Sequence, residues 1–172
     1  HMNPQDGKLF YKIACTYINE HQYESAVKQL QQALKINRLQ PDYNLAMGMA
    51  LVELGQYKPA IEHYANVIKS RPKNAKGWSA MLECMLKADL LDNADEYACE
   101  AYEATNGKPV FMFYRAATFF STGKTKQAIN QLEQAMAIAP KLIKKLIELQ
   151  PKILQHPQVV DLIARYKRSR SI

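Results

Sequence analysis

The sequence predicts an all-α protein made of helical hairpins that recur with one fixed period. Steps of 34 from Ala26 reach only further alanines, at Ala60, Ala94 and Ala128. Apolar residues recur at spacings of three and four, as at Leu30 and Ala33, which is the periodicity of one helix face and not of a strand. A fixed period of this length is typical of a repeat architecture, in which each unit packs against the next.

Two helices are predicted in each period. The residues at the same place in successive periods, which lie 34 positions apart, are together called a slot. The expected helices span residues 8–20, 24–37, 42–54, 58–70, 75–88, 92–104, 110–122 and 126–139. Gly55 and Gly123 occupy the slot between the two helices of their periods, where a turn is needed. His21 and Asp89 fill the same slot in the other two periods. Prolines end two of the second helices, at Pro72 and Pro140.

Small side chains dominate another slot, which holds Ala14, Gly48, Leu82 and Ala116. Helices that pack at an interaxial distance of about 8–10 Å need small residues where their backbones approach. The third period departs most from this pattern, because Leu82 replaces the small residue and Asn106 replaces the closing proline. We therefore expect its helix pair to differ in spacing or tilt from the others.

The register stops after Pro140, and the remaining sequence predicts an end cap. An apolar helical stripe runs from Leu142 to Leu149 and ends before Pro151. A last helix is predicted after Pro157, with Val159, Leu162, Ile163 and Tyr166 on one face. The last repeat of a solenoid needs such a helix to cover its apolar side. No comparable cap precedes residue 7, so the sequence is also consistent with a structural section of a larger array or with a homo-oligomer.

These slots resemble the tetratricopeptide repeat (TPR) of bacterial-type TPR proteins, best in the second period with Gly48, Leu51, Gly55, Tyr57 and Pro72. The resemblance divides the protein into residues 1–6, 7–142 and 143–172. The first segment contains a remnant of a cloning site, His1-Met2, and a lead-in. The second holds four repeats, 7–40, 41–74, 75–108 and 109–142, and the third holds capping helices and a basic tail. The implied fold is an α–α superhelix, and the implied role is a non-catalytic adaptor that binds a protein or peptide.

The resemblance also implies that exposed positions of the first helices form a concave binding groove. The groove residues carried over in this way are Tyr11, Lys12, Cys15, Leu45, Met49, Lys76, Phe113, Tyr114, Ala117 and Phe120. They form an apolar and aromatic floor with lysines at its edges, which favours a peptide or helix with apolar or aromatic anchors. The alternative for Phe113, Tyr114 and Phe120 is burial in the core, because apolar helical stripes are usually core.

Some TPR proteins hold acidic chaperone tails in a clamp of Lys, Asn and Arg side chains. Four of the five clamp positions are occupied here by residues other than Lys, Asn or Arg, namely Tyr11, Cys15, Ala46 and Ala80. Only Lys76 fits. A carboxylate buried there would lack the charge-assisted hydrogen bonds that offset its desolvation, so this mode of binding is rejected.

Composition and charge exclude several other classes of protein. The content of 48% hydrophobic and 23% charged residues predicts a folded protein. The longest apolar stretch, Leu45 to Val52, is far shorter than the roughly 18 residues of a membrane-spanning helix. The net charge of +7 is concentrated in residues 143–172, which counts against a broad nucleic-acid footprint. The tail cations Arg165, Lys167, Arg168 and Arg170 suit a helix C-terminus, or alternatively contact nucleic acid or an anionic membrane.

No motif predicts a catalytic, cofactor-binding or metal site, nor a small-molecule substrate. The four histidines lie far apart, and Gly123-Lys124-Thr125 lacks the earlier glycine and the strand of a phosphate-binding loop. Cys15, Cys84 and Cys99 are odd in number and have no metal-ligand spacing. Free thiols favour a cytoplasmic location, with the periplasm as the alternative if a signal peptide was removed.

Overall fold

A computed structural model describes residues 3–170 as two compact units, which meet in sequence between Cys84 and Met85. His1 and Met2, interpreted above as a cloning remnant, lie outside the described residues, as do Ser171 and Ile172. Regular structure between residues 3 and 170 is helical, with no strand. The all-α prediction is confirmed.

All eight predicted helices are present, followed by two further α-helices and two short 3-10 turns. The helices are α1 Pro4–Asn19, α2 Tyr23–Ile36, α3 Pro41–Glu53, α4 Tyr57–Ser70, α5 Ala75–Lys87, α6 Ala94–Ala104, α7 Val110–Ser121, α8 Thr125–Ile138, α9 Ile143–Leu149 and α10 Pro157–Ser169. The 3-10 turns are Pro140–Leu142 and Pro151–Gln155. Helices α1 to α4 belong to the N-terminal unit, α6 to α10 belong to the C-terminal unit, and α5 contains the division.

Helix α1 begins earlier than the sequence predicts. Asn3 caps it, since the Asn3 side chain accepts a hydrogen bond from the Gln5 N–H at 3.0 Å. Pro4 follows in the first turn, where its missing N–H costs nothing. Residues 4–6 therefore belong to the first helix, which corrects their assignment to a lead-in.

The turn slot adopts one backbone conformation in all four periods. Its residues have positive φ values, namely 59° at His21, 73° at Gly55, 56° at Asp89 and 75° at Gly123. After each of them the next N–H donates to the carbonyl five residues back, with N–O distances of 2.8 to 2.9 Å. This is a Schellman cap, which satisfies the last carbonyls of the helix. The predicted turns are thus confirmed, and histidine and aspartate accept the same left-handed conformation as glycine.

The third period differs from the others at both ends of α6. The α5–α6 connection contains two left-handed residues, Asp89 and Asn93, and α6 starts only at Ala94. Helix α6 has 11 residues, whereas α4 and α8 have 14. Asn106 ends it in a left-handed conformation with φ 56°, in the slot that holds proline in two other periods. The third period therefore has a longer turn and a shorter second helix, while the expected difference in spacing or tilt of its helix pair stays a prediction.

Packing within the N-terminal unit explains why one slot holds glycine. A Cβ atom on Gly48 would lie 2.3 Å from Cε1 of Tyr64, so the tyrosine ring occupies the space of the missing side chain. The same two slots hold Ala14 with Leu30 in the first period and Ala116 with Leu132 in the fourth, all fully buried. A smaller residue on the first helix is thus matched by a larger residue on the second.

The C-terminal unit has its core around α7. Buried side chains from α7, α8, α9, the second 3-10 turn and α10 form one apolar cluster, which includes Phe113, Ala117, Leu132, Leu146 and Val159. Helix α7 has no charged residue except Arg115 and packs against α6, α8 and α9. An almost wholly apolar helix requires neighbours on several sides. The two last helices provide part of this cover.

Candidate functional site

Six of the ten predicted groove residues lie in the N-terminal unit, five of them on α1 and α3. Tyr11, Cys15 and Leu45 are half-buried, Lys12 is exposed, and Met49 keeps 49% of its surface exposed. Tyr11 and Cys15 are four residues apart on α1, as are Leu45 and Met49 on α3, so each pair shares a helix face. These five residues are called the α1–α3 surface below. Lys76, the sixth, is exposed near the start of α5.

Tyr11 is fixed in place by its neighbours. Its ring lies 5.3 Å from the ring of Tyr43, the buried residue behind it on α3. Burial and, as the second cause, the side-chain hydrogen bond with Cys15 raise the pKa of Tyr11 to about 12. Tyr11 is therefore a neutral phenol at physiological pH, so its oxygen can donate or accept a hydrogen bond.

Next to Met49 the N-terminal unit contains an apolar cavity of about 180 Å³. Its walls are Ile18, Tyr23, Met49, Val52, Glu53 and Tyr64. Tyr64 reaches this position because it packs on Gly48, and its burial raises the pKa of its hydroxyl. Sequence reasoning missed this cavity. The signal that could have indicated it is the pairing of a glycine with a tyrosine where other periods pair alanine with leucine.

A buried polar group lies between α3 and α4 of the same unit. Asn44, with no exposed surface, donates from Nδ2 to the carbonyls of Arg38 and Gln40 at 3.0 Å each. Its Oδ1 accepts from Nδ1 of His63 at 2.9 Å and from Nδ2 of Asn66 at 3.3 Å. Burial lowers the pKa of His63, which favours the neutral ring.

The position of Asn44 is equivalent to that of a tryptophan in the next period. Trp78, one period later, donates from Nε1 to the carbonyl of Pro72 at 2.9 Å. Pro72 itself lies one period after Arg38, the acceptor of Asn44. The Nδ2 group of Asn44 therefore makes the hydrogen bond that the indole N–H of Trp78 makes one period later. Its Oδ1 is contacted by His63 and Asn66.

In the C-terminal unit the structure corrects three of the predicted groove residues. Phe113, Tyr114 and Ala117 are each at most 2% exposed, and Phe113 and Ala117 belong to the apolar core cluster. Phe113 occupies the slot of Tyr11 and Leu45, but α9 and the second 3-10 turn bring apolar side chains into the same cluster. These three residues are core, and replacing Phe113 or Tyr114 by alanine would test packing instead of binding.

Phe120, the tenth predicted residue, is half-buried beside a cleft of about 520 Å³ in the same unit. Its ring lies 5.2 Å from the ring of His156, which precedes α10. Gln150 donates to Ser121 at the end of α7, while the buried Oε1 of Gln150 has no partner among the described residues. The cleft combines aromatic and polar walls, and Asp89 and Lys152 provide a charge of each sign.

Residues 3–170 contain no candidate metal cluster and no candidate membrane span. No three His, Cys, Asp or Glu side chains in this range come together as a metal-binding group would. None of the helices in this range combines the length and the hydropathy needed to cross a membrane.

The family profile described as "Tetratricopeptide repeat" matches residues 11–75 and again residues 45–109, together more than half of the chain. The chain belongs to the tetratricopeptide repeat family. The resemblance inferred from the slots is thereby confirmed. The family and its fold are typically those of non-catalytic adaptors.

Solved structures show the same fold. The protein "MamA 41-end" from Desulfovibrio magneticus RS-1 aligns with a TM-score of 0.72 and 19% identity, over 96% of both chains. YrrB, described as a TPR protein with an unusual peptide-binding site, aligns with a TM-score of 0.67 and 19% identity, over 78% of this chain and 69% of its own. The predicted fold class, an all-α TPR solenoid, is confirmed.

One curated relative is the intraflagellar transport protein 70B of Rattus norvegicus. It is 31% identical over 67 residues, which are 39% of this chain. The match spans about a tenth of the length of that relative. TPR proteins of this fold are protein–protein interaction scaffolds, and that is the class of function that the family and the fold support here.

Proposed function

We propose that this protein is an adaptor that binds an apolar or aromatic-anchored peptide or helix of a partner protein on the α1–α3 surface. The observation that carries the proposal is Met49, a large apolar side chain that is 49% exposed beside an apolar cavity of about 180 Å³. A cavity of that size receives one side chain of a peptide, and methionine adapts to the shape of different guests.

The surroundings of Met49 suit a peptide better than a small molecule. Leu45, Tyr11 and Cys15 extend the apolar area along two helices, which is the form of surface that an extended segment or a helix covers. Lys12 is exposed on α1 and Lys76 on α5, and both can pair with acidic residues of the guest. YrrB, which shares the fold, is described as having a peptide-binding site, and this supports the same class of ligand here.

The test replaces two residues of the surface by the residues that the third repeat has in the same slots. Leu45 is equivalent to Ser79 and Met49 to Glu83, so the double variant Leu45→Ser/Met49→Glu should keep its helices. We expect peptides selected from a displayed random library to bind the wild type and to lose at least tenfold in affinity for this variant, measured by calorimetry.

The matched control is Leu39→Lys. Leu39 is also exposed and apolar, lies away from the surface in the α2–α3 loop, and has lysine in its slot at Lys73 and Lys141. The control should bind as the wild type does. Equal affinity of the wild type and the double variant would contradict the proposal, provided that both have the same helical circular dichroism.

A second candidate function, a section of a larger array or a homo-oligomer, is favoured by the exposed face of α1. Leu9 is 57% exposed and Ile13 is 36% exposed. In the slot of Leu9, Tyr43 and Phe111 of later repeats are buried. In the slot of Ile13, Met47 and Met81 are buried and Arg115 is half-buried. This face therefore has the character of an interface between repeats.

The oligomeric state of the intact protein tests the second candidate. Light scattering over a dilution series should show self-association that the variant Ile13→Arg abolishes, since the same slot holds Arg115 in the fourth repeat. A monomer at all concentrations excludes the homo-oligomer. The same face would then be left for a neighbouring segment of an array.

We also propose that residues 7–142 are four repeats, with α9 and α10 as their cap. The four Schellman turns, each one period after the last, support the repeats, and the apolar contacts of Leu146 and Val159 in the core cluster support the cap. A protein that ends after Pro140 should therefore expose Phe113 and aggregate, whereas removal of residues 167–172 should have little effect on its stability.

A further inference from the structure

A cavity of about 240 Å³ lies among α6, α7 and α8 of the C-terminal unit, apart from the α1–α3 surface. Its walls include apolar groups of Phe111 and Met112 and polar groups of Arg115, Gln131 and Glu103. Ligand pockets for cofactors and drug-sized molecules are usually about 300–1,000 Å³. This cavity is smaller, so it suits one side chain or one terminal residue of a peptide.

Arg115 is the unusual member of this cavity. Its slot is apolar in the other three repeats, which have Ile13, Met47 and Met81 there. The fourth repeat thus places a permanent positive charge at a position that packing alone would fill with a methionine. A half-buried guanidinium loses part of its hydration, and that loss must be offset by polar partners.

Arg115 has few polar partners among the described residues of its unit. Nη1 of Arg115 donates to Oε1 of Gln131 at 3.3 Å, which is a long hydrogen bond, and the guanidinium carbon lies 5.2 Å from the centre of the Phe119 ring. Nε of Arg115 is buried and has no hydrogen-bond partner among the described residues. Within residues 85–170 no carboxylate lies within 4.0 Å of this guanidinium. An arginine has five N–H donors, and the bond to Gln131 uses one of them.

We propose that this cavity binds a carboxylate of a partner peptide, through Arg115. A carboxylate accepts two parallel hydrogen bonds from a guanidinium, and such charge-assisted pairs are among the strongest that proteins form. The amide groups of Gln131 and Gln134 line the same cavity and can donate to the same carboxylate. Phe111 and Met112 provide apolar contact for the carbon atoms that carry it.

The charges around the cavity favour a carboxylate over a phosphate. Arg115 is the cationic side chain in its wall, and Glu103 lies in the same wall. A phosphate monoester carries nearly two negative charges at neutral pH, so one cation beside a carboxylate compensates it poorly. A carboxylate carries a single charge and matches a single guanidinium. The two peptide sources of a carboxylate are the C-terminus of the peptide and an aspartate or glutamate side chain.

The first experiment uses sodium benzoate as the probe and follows the Nε–Hε signal of Arg115 by ¹⁵N NMR of the intact protein. Benzoate should shift this signal saturably, whereas sodium chloride at the same ionic strength should not. In Arg115→Met the response of the remaining cavity residues should disappear. This variant should fold, because methionine occupies the slot in the second and third repeats. Arg115→Lys should weaken binding about tenfold, because it keeps the charge and loses the paired donors.

Glu103→Gln separates ligand binding from a purely structural role of Arg115. Removing the negative charge beside the cavity should strengthen benzoate binding and leave the affinity of peptides for the α1–α3 surface unchanged. Absence of a benzoate shift would overturn the proposal, as would an equal response of Arg115→Met or an equal response to chloride.

The second experiment identifies the source of the carboxylate with three acetylated peptides of one apolar sequence. One has a free C-terminus, one is amidated, and one is amidated with an internal glutamate. Binding of the first alone assigns the site to a peptide end, and binding of the third assigns it to an acidic side chain. If benzoate binds and none of the peptides does, the site takes small free carboxylates and the peptide proposal is wrong.

Discussion

Two polar side chains occupy slots that are apolar elsewhere in this protein, and the structure treats them in opposite ways. Asn44 in the N-terminal unit is fully buried, and its amide makes hydrogen bonds with two carbonyls and two side chains. Arg115 in the C-terminal unit has one long hydrogen bond, a ring contact and a buried donor without a partner among residues 3–170. A buried polar side chain whose hydrogen-bonding atoms all have partners stabilises a fold, whereas one with donors left over is suited to a ligand. The predictions below test this difference, beginning with the largest expected effect.

Asn44→Ala should be strongly destabilising. It removes the side-chain donor for the carbonyl of Arg38 and the acceptor for His63, whereas the carbonyl of Gln40 keeps the backbone N–H of residue 44. Each buried polar group left without a partner costs about 1–3 kcal/mol. We expect the free energy of unfolding to fall by about 3 kcal/mol, measured by urea denaturation. Asn66→Ala is the matched control, since it removes only the longer 3.3 Å bond. Similar losses in the free energy of unfolding for the two variants would show that the hydrogen bonds of Asn44 do not stabilise the fold as described.

Gly48→Ala should be the next largest effect, because the new methyl group would overlap the Tyr64 ring. Overpacking of this kind typically costs about 1–3 kcal/mol. The double variant Gly48→Ala/Tyr64→Leu gives the N-terminal unit the pair that the C-terminal unit has at Ala116 and Leu132. We expect it to recover at least half of the loss in a double-mutant cycle. A double variant less stable than Gly48→Ala would contradict the matching of sizes.

His63 should make the N-terminal unit sensitive to acid. Because burial lowers its pKa in the folded state, the unfolded protein binds a proton more readily as the pH falls below about 6.5. The contribution of His63 to the free energy of unfolding is therefore fully present above about pH 6.5. This contribution is lost as the pH falls towards the lowered pKa of His63. His63→Gln should reduce the loss of thermal stability between about pH 7.5 and 5.5. Glutamine is found in this slot at Gln29 and Gln131, so the variant should fold. An unchanged pH profile would exclude His63 as the cause.

Arg115→Met should have the smallest effect on stability, within about 1 kcal/mol of the wild type, because an apolar residue that fits the slot can replace a poorly paired, half-buried charge at little cost. Thermal unfolding of the wild type and the variant measures this difference. A loss as large as that of Asn44→Ala would show that Arg115 is a structural residue and that the two polar groups are alike.

The sequence predicted the helices and their turns because both depend on local interactions. The left-handed slot at His21, Gly55, Asp89 and Gly123 is set by residues within one turn of each helix end. The side chains of the α1–α3 surface are at least partly exposed, as the sequence predicted, and their role in binding stays a prediction. The cavity beside Met49 was missed because it depends on a contact between two different helices, made by Gly48 on α3 and Tyr64 on α4.

The sequence by itself determined the period, the hairpins and the family, since each follows from short-range spacing. Only the tertiary structure decided which members of one slot face solvent. Tyr11, Leu45 and Phe113 are equivalent in sequence, yet Phe113 is buried and the other two are partly exposed. The physical reason is that burial depends on which helices pack against a residue, and side chains from α9 and the following turn share a core with Phe113. Periodicity specifies a position on a helix, and neighbours from distant sequence determine what that position contacts.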